Sequence, residues 1–215
     1  MQQEEVRTRI VETGIVPVIR ASSAEEARFA AEAVARGGIS IAEVTMTVPR
    51  ALDVISGLRR DLPHLLIGAG TLLDVQMARR CLRAGASFLV SPALDLEIIR
   101  LATEENVVMM AGALTPTEVL TAWNAGADFI KVFPCAQVGG PAYIKALTGP
   151  FPHLRLVPTG GVNLENAADY VRSGAAALGV GGELIVRDAL QQRRADILED
   201  LAHRFTETVA DARRQ

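Results

Sequence analysis

The sequence predicts a parallel (β/α)8 barrel, the TIM-barrel class. Apolar runs alternate with helical patterns, and eight such units fit into 215 residues. The runs are continuously apolar rather than alternating, as strands covered on both faces are. No GxGxxG follows the first run, so the open doubly wound sheet lacks its main support.

Taken in order, residues 2–12 read as a short helix ending near Gly14. Ile15–Ile19 is the first apolar run and closes on Arg20. Ser22 or Ser23 can cap the next helix, with Glu25 and Glu26 in its first turn. Alanines carry that helix to the stop at Gly37-Gly38. Strand Ile39–Thr45, helix Pro49 to about Arg60 and strand Leu65–Gly70 follow. Next come helix Asp74–Arg83, strand Ser87–Ser91, helix Asp95–Glu105 and strand Val107–Gly112. Helix Thr115–Asn124 leads to strand Asp128–Phe133, and helix Pro141–Thr148 to strand Arg155–Thr159. Helix Asn163–Arg172, strand Ala175–Val180 and one long polar helix from about Arg187 complete the chain. Three helix-to-strand corners repeat, as AGASF (84–88), AGADF (125–129) and SGAAA (173–177). In each, the glycine ends the helix in the left-handed region. The whole, residues 1–215, reads as a single domain with an N-terminal helix and a helical extension over about 187–215.

Composition narrows the function classes. Hydrophobic content of 49% and mean hydropathy of +0.23 fit a packed core. A net charge of −3 offers no basic field for nucleic acid, and 4% aromatics are too few for a base-stacking surface. No run approaches a membrane span. The opening residues, MQQEEVRTRIVETG, are polar and acidic, so no secretory signal is expected. Cys81 and Cys135 have no metal-ligand spacing and read as free thiols of a cytoplasmic protein.

In a barrel of this class the site lies at the C-terminal ends of the strands. Lys131 sits inside the apolar run DFIKVFP, in a chain with two lysines against twenty arginines. Lysine can lose its proton and attack a carbonyl, which guanidinium cannot. The competing reading is a strand-end lysine reaching for water. Glu43 interrupts a second apolar run, and each charge answers the other's burial problem; a purely structural ion pair is the alternative. The glycine pairs Gly160-Gly161 and Gly181-Gly182 follow strands 7 and 8, and their bare amides suit a phosphate; simple tight turns are the alternative. Arg20 can hold a carboxylate through two hydrogen bonds; a solvated loop arginine is the alternative. His64 and His153 fall at the opposite face and His203 in the last helix, so no zinc site is expected. Cys135 reads as a packing residue.

The motifs PVIR (17–20), EVTMTVP (43–49), GAGT (68–71), SP (91–92), TPTE (115–118), KVFP (131–134), GPFP (149–152), PTGGV (158–162) and GVGG (179–182) together resemble the KDPG/KHG aldolase family over about residues 10–186. KDPG is 2-keto-3-deoxy-6-phosphogluconate and KHG is 4-hydroxy-2-oxoglutarate. The resemblance implies a class I aldolase that needs no metal or other cofactor, with Lys131 as the Schiff-base amine and Glu43 as general acid and base. It implies that Thr71 holds the pyruvyl carboxylate, with Arg20 as a further contact. Phe133 packs beside the lysine and Pro92 lines the pocket. Thr159, Gly160, Gly161, Gly181 and Gly182 hold the phosphate end. The partners implied are a small keto acid, pyruvate and the other subunits of a homotrimer. Two positions depart from the pattern. Thr47, kept here among the substrate-binding residues, stands where many members have arginine. Gly182, followed by Glu183, stands where members often have serine. EVTMTVP and TGG match the gluconate type rather than its galactonate relatives. The competing functions are a phosphate-binding barrel isomerase or synthase with no covalent step, and a non-catalytic binding protein.

Overall fold

The computed structural model describes residues 2–214; Met1 and Gln215, the ends of the expected domain and extension, lie outside it. Eight strands form one sheet in the order β7-β6-β5-β4-β3-β2-β1-β8, every pair parallel. They are β1 (Ile15–Ile19), β2 (Ile41–Thr45), β3 (Leu66–Gly70), β4 (Phe88–Val90), β5 (Val108–Ala113), β6 (Phe129–Val132), β7 (Leu156–Pro158) and β8 (Leu178–Val180). The ring closes between β7 and β8 through a parallel bridge, Thr159 to Gly179. Nearer the other end, Ala176 N donates to Leu156 O at 2.9 Å. This is the barrel the alternation predicts.

The helices are α1 (Gln3–Thr13), α2 (Ala24–Arg36), α3 (Ala51–Asp61), α4 (Val75–Arg83), α5 (Leu96–Glu104), α6 (Pro116–Asn124), α7 (Pro141–Thr148), α8 (Ala167–Arg172), α9 (Arg187–Gln191) and α10 (Ala195–Arg214). Local chemistry sets their starts. Ser23, Asp74 and Asp95 accept from the first-turn amides of α2, α4 and α5. Thr115 and Glu118 form a reciprocal capping box on α6, with Pro116 at its first position. The corner glycines Gly85, Gly126 and Gly174 take φ of 98°, 104° and 98°, as their repeated motif predicts.

Several elements differ from the sequence reading: α8 begins at Ala167 rather than Asn163, and β8 at Leu178 rather than Ala175. The expected single C-terminal helix is two, α9 and α10, broken where Arg193 takes φ of 53°. Arg194 then pairs with Asp196 at 2.7 Å at the start of α10. A short 3-10 turn, Ala136–Val138, stands where no element was expected.

The apolar residues divide into two cores. One is the layer between sheet and helices. The other fills the barrel itself, with Val16, Ile41, Leu66, Phe88, Val108, Met110, Phe129 and Val157. Val6 and Ile10 of α1, four residues apart on one helix face, join this inner core and plug its N-terminal end. Each such aliphatic residue contributes about 1.5–3 kcal/mol by leaving water. Polar contacts hold the plug. Arg7 Nε lies 2.9 Å from Asp128 Oδ1, and Met109 N donates to Asp128 Oδ2 at 2.8 Å. No described helix is long and apolar enough to cross a membrane.

Candidate active site

Side chains alternate across a strand, so residues two apart share a face. Ile41 and Phe129 belong to the inner core, and therefore Glu43 and Lys131 also point into the barrel, one step nearer its mouth. There they meet: Lys131 Nζ lies 3.7 Å from Glu43 Oε1, with the side chains 6% and 1% exposed. That distance is too long for a hydrogen bond, and Glu43 Oε1 has no hydrogen-bond partner. Burial pushes the Glu43 carboxyl above its ordinary range, against the opposing pull of Lys131 and, less strongly, Arg20. The pair is thus a buried amine and a buried carboxyl close enough to exchange a proton through a substrate atom or a water.

Glycine leaves the room around them. A methyl at Gly70 would overlap the Glu43 carboxyl, and one at Gly112, opposite Lys131 in register, would overlap the Pro92 backbone. The barrel is filled with side chains below this level and open above it. The Lys131 ammonium stands 5.7 Å from the centroid of the Phe133 ring, which itself faces a cavity of about 740 Å³. This cavity opens over the ends of β1, β6, β7 and β8.

Among the expected site residues, the cavity collects Arg20, Phe133, Thr159, Gly160, Gly161, Gly181 and Gly182. Lys131 and Glu43 lie beneath its Phe133 and Thr159 wall rather than lining it. Gly160 and Gly161 take φ of 88° and 80°, and a methyl on Gly161 would collide with Ala136. The amides of Gly160, Gly161, Gly181 and Gly182 donate to no acceptor among the described residues, and the space beside Gly181 and Gly182 is open. Successive free amides of this kind form an anion-binding concavity.

Thr47, Thr71 and Pro92 are elsewhere on the rim. Thr47 is exposed, 2.7 Å from the Thr45 hydroxyl. Thr71 is half-buried with φ of 60°, directly after Gly70, and Pro92 is half-buried beside Gly112. Sequence reasoning missed Ser22, Glu26, Arg187 and Gln191 as cavity residues, whereas Glu183, flagged beside Gly182, does line the cavity. Ser22 and Glu26 had been read only as helix-start residues, which they also are: Glu26 Oε2 accepts from Ser22 N and Oγ at 2.9 and 2.6 Å. Cys135 is buried, and burial pushes its thiol up to about 11, which suits packing rather than attack.

A parallel barrel with an amine and a carboxyl facing each other at its mouth, below a nest of free amides, is the frame of an enzyme for small anionic carbonyl compounds. The comparisons with known proteins specify which. The family model described as KDPG and KHG aldolase matches residues 6–201. A 2-dehydro-3-deoxy-phosphogluconate aldolase of Pseudomonas aeruginosa is 40% identical over 160 residues, covering 74% of this chain and 73% of that protein. The KHG/KDPG aldolase of Escherichia coli K12 is 34% identical over 200 residues, covering 92% and 93%. A solved KDPG aldolase of Legionella pneumophila, with pyruvate captured as a covalent carbinolamine intermediate, superposes with a TM-score of 0.86 at 29% identity, covering 92% of this chain and 96% of that one. The chain belongs to the KDPG and KHG aldolase family.

Proposed function

We propose that this chain is a class I aldolase cleaving 2-keto-3-deoxy-6-phosphogluconate to pyruvate and glyceraldehyde 3-phosphate, and 4-hydroxy-2-oxoglutarate to pyruvate and glyoxylate. The observation that carries the reading is the buried Lys131–Glu43 pair at the mouth. The names of its relatives supply the substrates.

The neutral Lys131 amine attacks the C2 carbonyl and gives a carbinolamine. Glu43 protonates the departing hydroxyl, water leaves and an iminium remains. Glu43, now a carboxylate, takes the proton of the C4 hydroxyl. The C3–C4 bond then breaks, the aldehyde departs and the electron pair flows into the iminium to give an enamine. Protonation at C3 and hydrolysis release pyruvate and the free amine. A carboxyl held above its ordinary range suits a group that must donate and accept in turn. The Arg20 guanidinium, close enough to act on Glu43, would hold the substrate carboxylate, with Thr71 and Thr47 as further contacts from their own part of the rim. Phe133 and Pro92 would wall the reacting carbons. Thr159 and the free amides of the two glycine turns would receive the phosphate.

Borohydride reduction in the presence of pyruvate, read by intact mass, tests the covalent step. We expect one pyruvyl adduct on Lys131 and none in Lys131→Arg, whose turnover should fall below detection because guanidinium cannot form the imine. Turnover with no adduct would instead favour a phosphate-binding isomerase or synthase. We further propose a homotrimer working in the cytoplasm. Exposed Leu73 and Leu96 are apolar positions that an assembly would cover, and light scattering in solution would measure its mass.

A further inference from the structure

The cavity carries a cation that the mechanism above leaves without a task. Arg187, the first residue of α9, lines it together with Glu26, Glu183 and Gln191. Arg187 makes no ion pair and donates no hydrogen bond among the described residues. The two carboxylates near it differ. Glu26 is committed to the Ser22 amide and hydroxyl, whereas Glu183 is exposed and directly follows the Gly181-Gly182 turn. That turn supplies amides but no hydroxyl and no positive charge, and the residue that follows it, Glu183, is anionic. A phosphate dianion placed there needs a cation from another element.

The two arginines of the cavity act on different ends of it. The charge of Arg20 reaches Glu43, beside the reacting amine. At the rim, Glu26 is held down first by its Ser22 hydrogen bonds and, less strongly, by the charges of Arg193 and Arg187. A phosphorylated keto acid likewise has two anionic ends, a carboxylate next to the carbonyl and a phosphate at the far terminus. Leu184 N and Ile185 N both donate back to Gly181 O, at 3.0 and 2.8 Å, a tight turn that returns the chain to the cavity at Arg187.

Resting on the aldolase reading above, we propose that Arg187 reads the terminal phosphate of the substrate and so sets the preference for phosphorylated over unphosphorylated keto acids. Its planar guanidinium offers paired donors to phosphate oxygens and offsets the repulsion of Glu183.

The test compares 2-keto-3-deoxy-6-phosphogluconate with 2-keto-3-deoxygluconate, the same keto acid without its phosphate. The readout is the ratio of their kcat/KM values in wild type, Arg187→Ala, Arg187→Lys and Glu183→Gln. Loss of a charge-assisted contact should lower the ratio about 10- to 100-fold in Arg187→Ala, mainly through KM of the phosphorylated substrate. Arg187→Lys should recover part of it, and Glu183→Gln should raise it. An unchanged ratio in Arg187→Ala, or an equal fall for both substrates in both Arg187 variants, would overturn the proposal. Borohydride trapping with pyruvate, which carries no phosphate, runs alongside on every protein. An adduct throughout, with an unmoved ratio, overturns the role of Arg187 alone. No adduct even in wild type overturns the aldolase reading and this inference with it.

Discussion

Burial holds the Glu43 carboxyl above its usual range, and the sign of that shift has two consequences. The folded chain binds this proton more tightly than the unfolded chain does. Glu43 therefore favours the fold fully below its ordinary value of 4.5, and this contribution is lost as pH rises through the higher folded value. In Glu43→Gln, the plot of Tm against pH should lack that component. In activity, the carboxylate is lost as pH falls through the same raised value. The acid limb of the wild-type kcat/KM profile is thus expected above pH 4.5. A limb at or below the ordinary value would remove Glu43 as the base. Lys131 and Glu43 were legible in the sequence because a charge within an apolar run is a local signal. Arg187 was not, since an arginine in a polar helix looks the same whether it faces water or a cavity. Thr47, Thr71 and Pro92 came with the resemblance, and they lie on a part of the rim outside the cavity.

Elements were readable where their ends have a chemical cause. The Thr115–Glu118 box satisfies first-turn donors of α6 at both partners, and TPTE announces it in the sequence. Thr115→Ala should destabilise the protein by about 1 kcal/mol, measured as a lower urea midpoint at unchanged slope. Activity should persist, because α6 presents no residue to the cavity. The division of the last helix has no such cause. Residues Gln191–Arg194 contain neither glycine nor proline, and a non-glycine residue at φ of 53° leaves no mark in composition. The break nonetheless matters, since it separates α9, which serves the cavity, from α10, which packs on α2 and α8. The strands came out one to three residues shorter than their apolar runs at several ends. The runs record burial, and burial continues past the last ladder partner: Ile39 and Leu65 are buried outside β2 and β3.

At the scale of the molecule, strict alternation fixed the neighbour order from β1 to β7, because consecutive parallel strands lie side by side. The plug was hidden. Residues 2–12 read only as a short helix, and the closed barrel shows that Val6 and Ile10 cap its interior. The Asp128 carboxyl that ties α1 down lies three residues before Lys131, and as the first residue of the expected strand it carries no sequence mark of that role. Burial raises its proton affinity while the Met109 amide and Arg7 oppose the shift.

The join between β7 and β8 is thinner than any other in the ring, and both glycine turns grow from it. Thr159 and Gly179 meet so closely there that a methyl on Gly179 would overlap the Thr159 side chain. Whatever anion settles across Gly160, Gly161, Gly181 and Gly182 would fasten these two strands to each other from outside. The barrel is an almost finished hoop, and a bound anion would be its clasp. Amide hydrogen exchange at Leu156, Val157, Thr159 and Leu178–Val180 should slow when inorganic phosphate is added, and Tm should climb with its concentration. In Gly179→Ala the same amides should exchange faster from the start. Equal protection with and without phosphate would mean that the hoop is already shut.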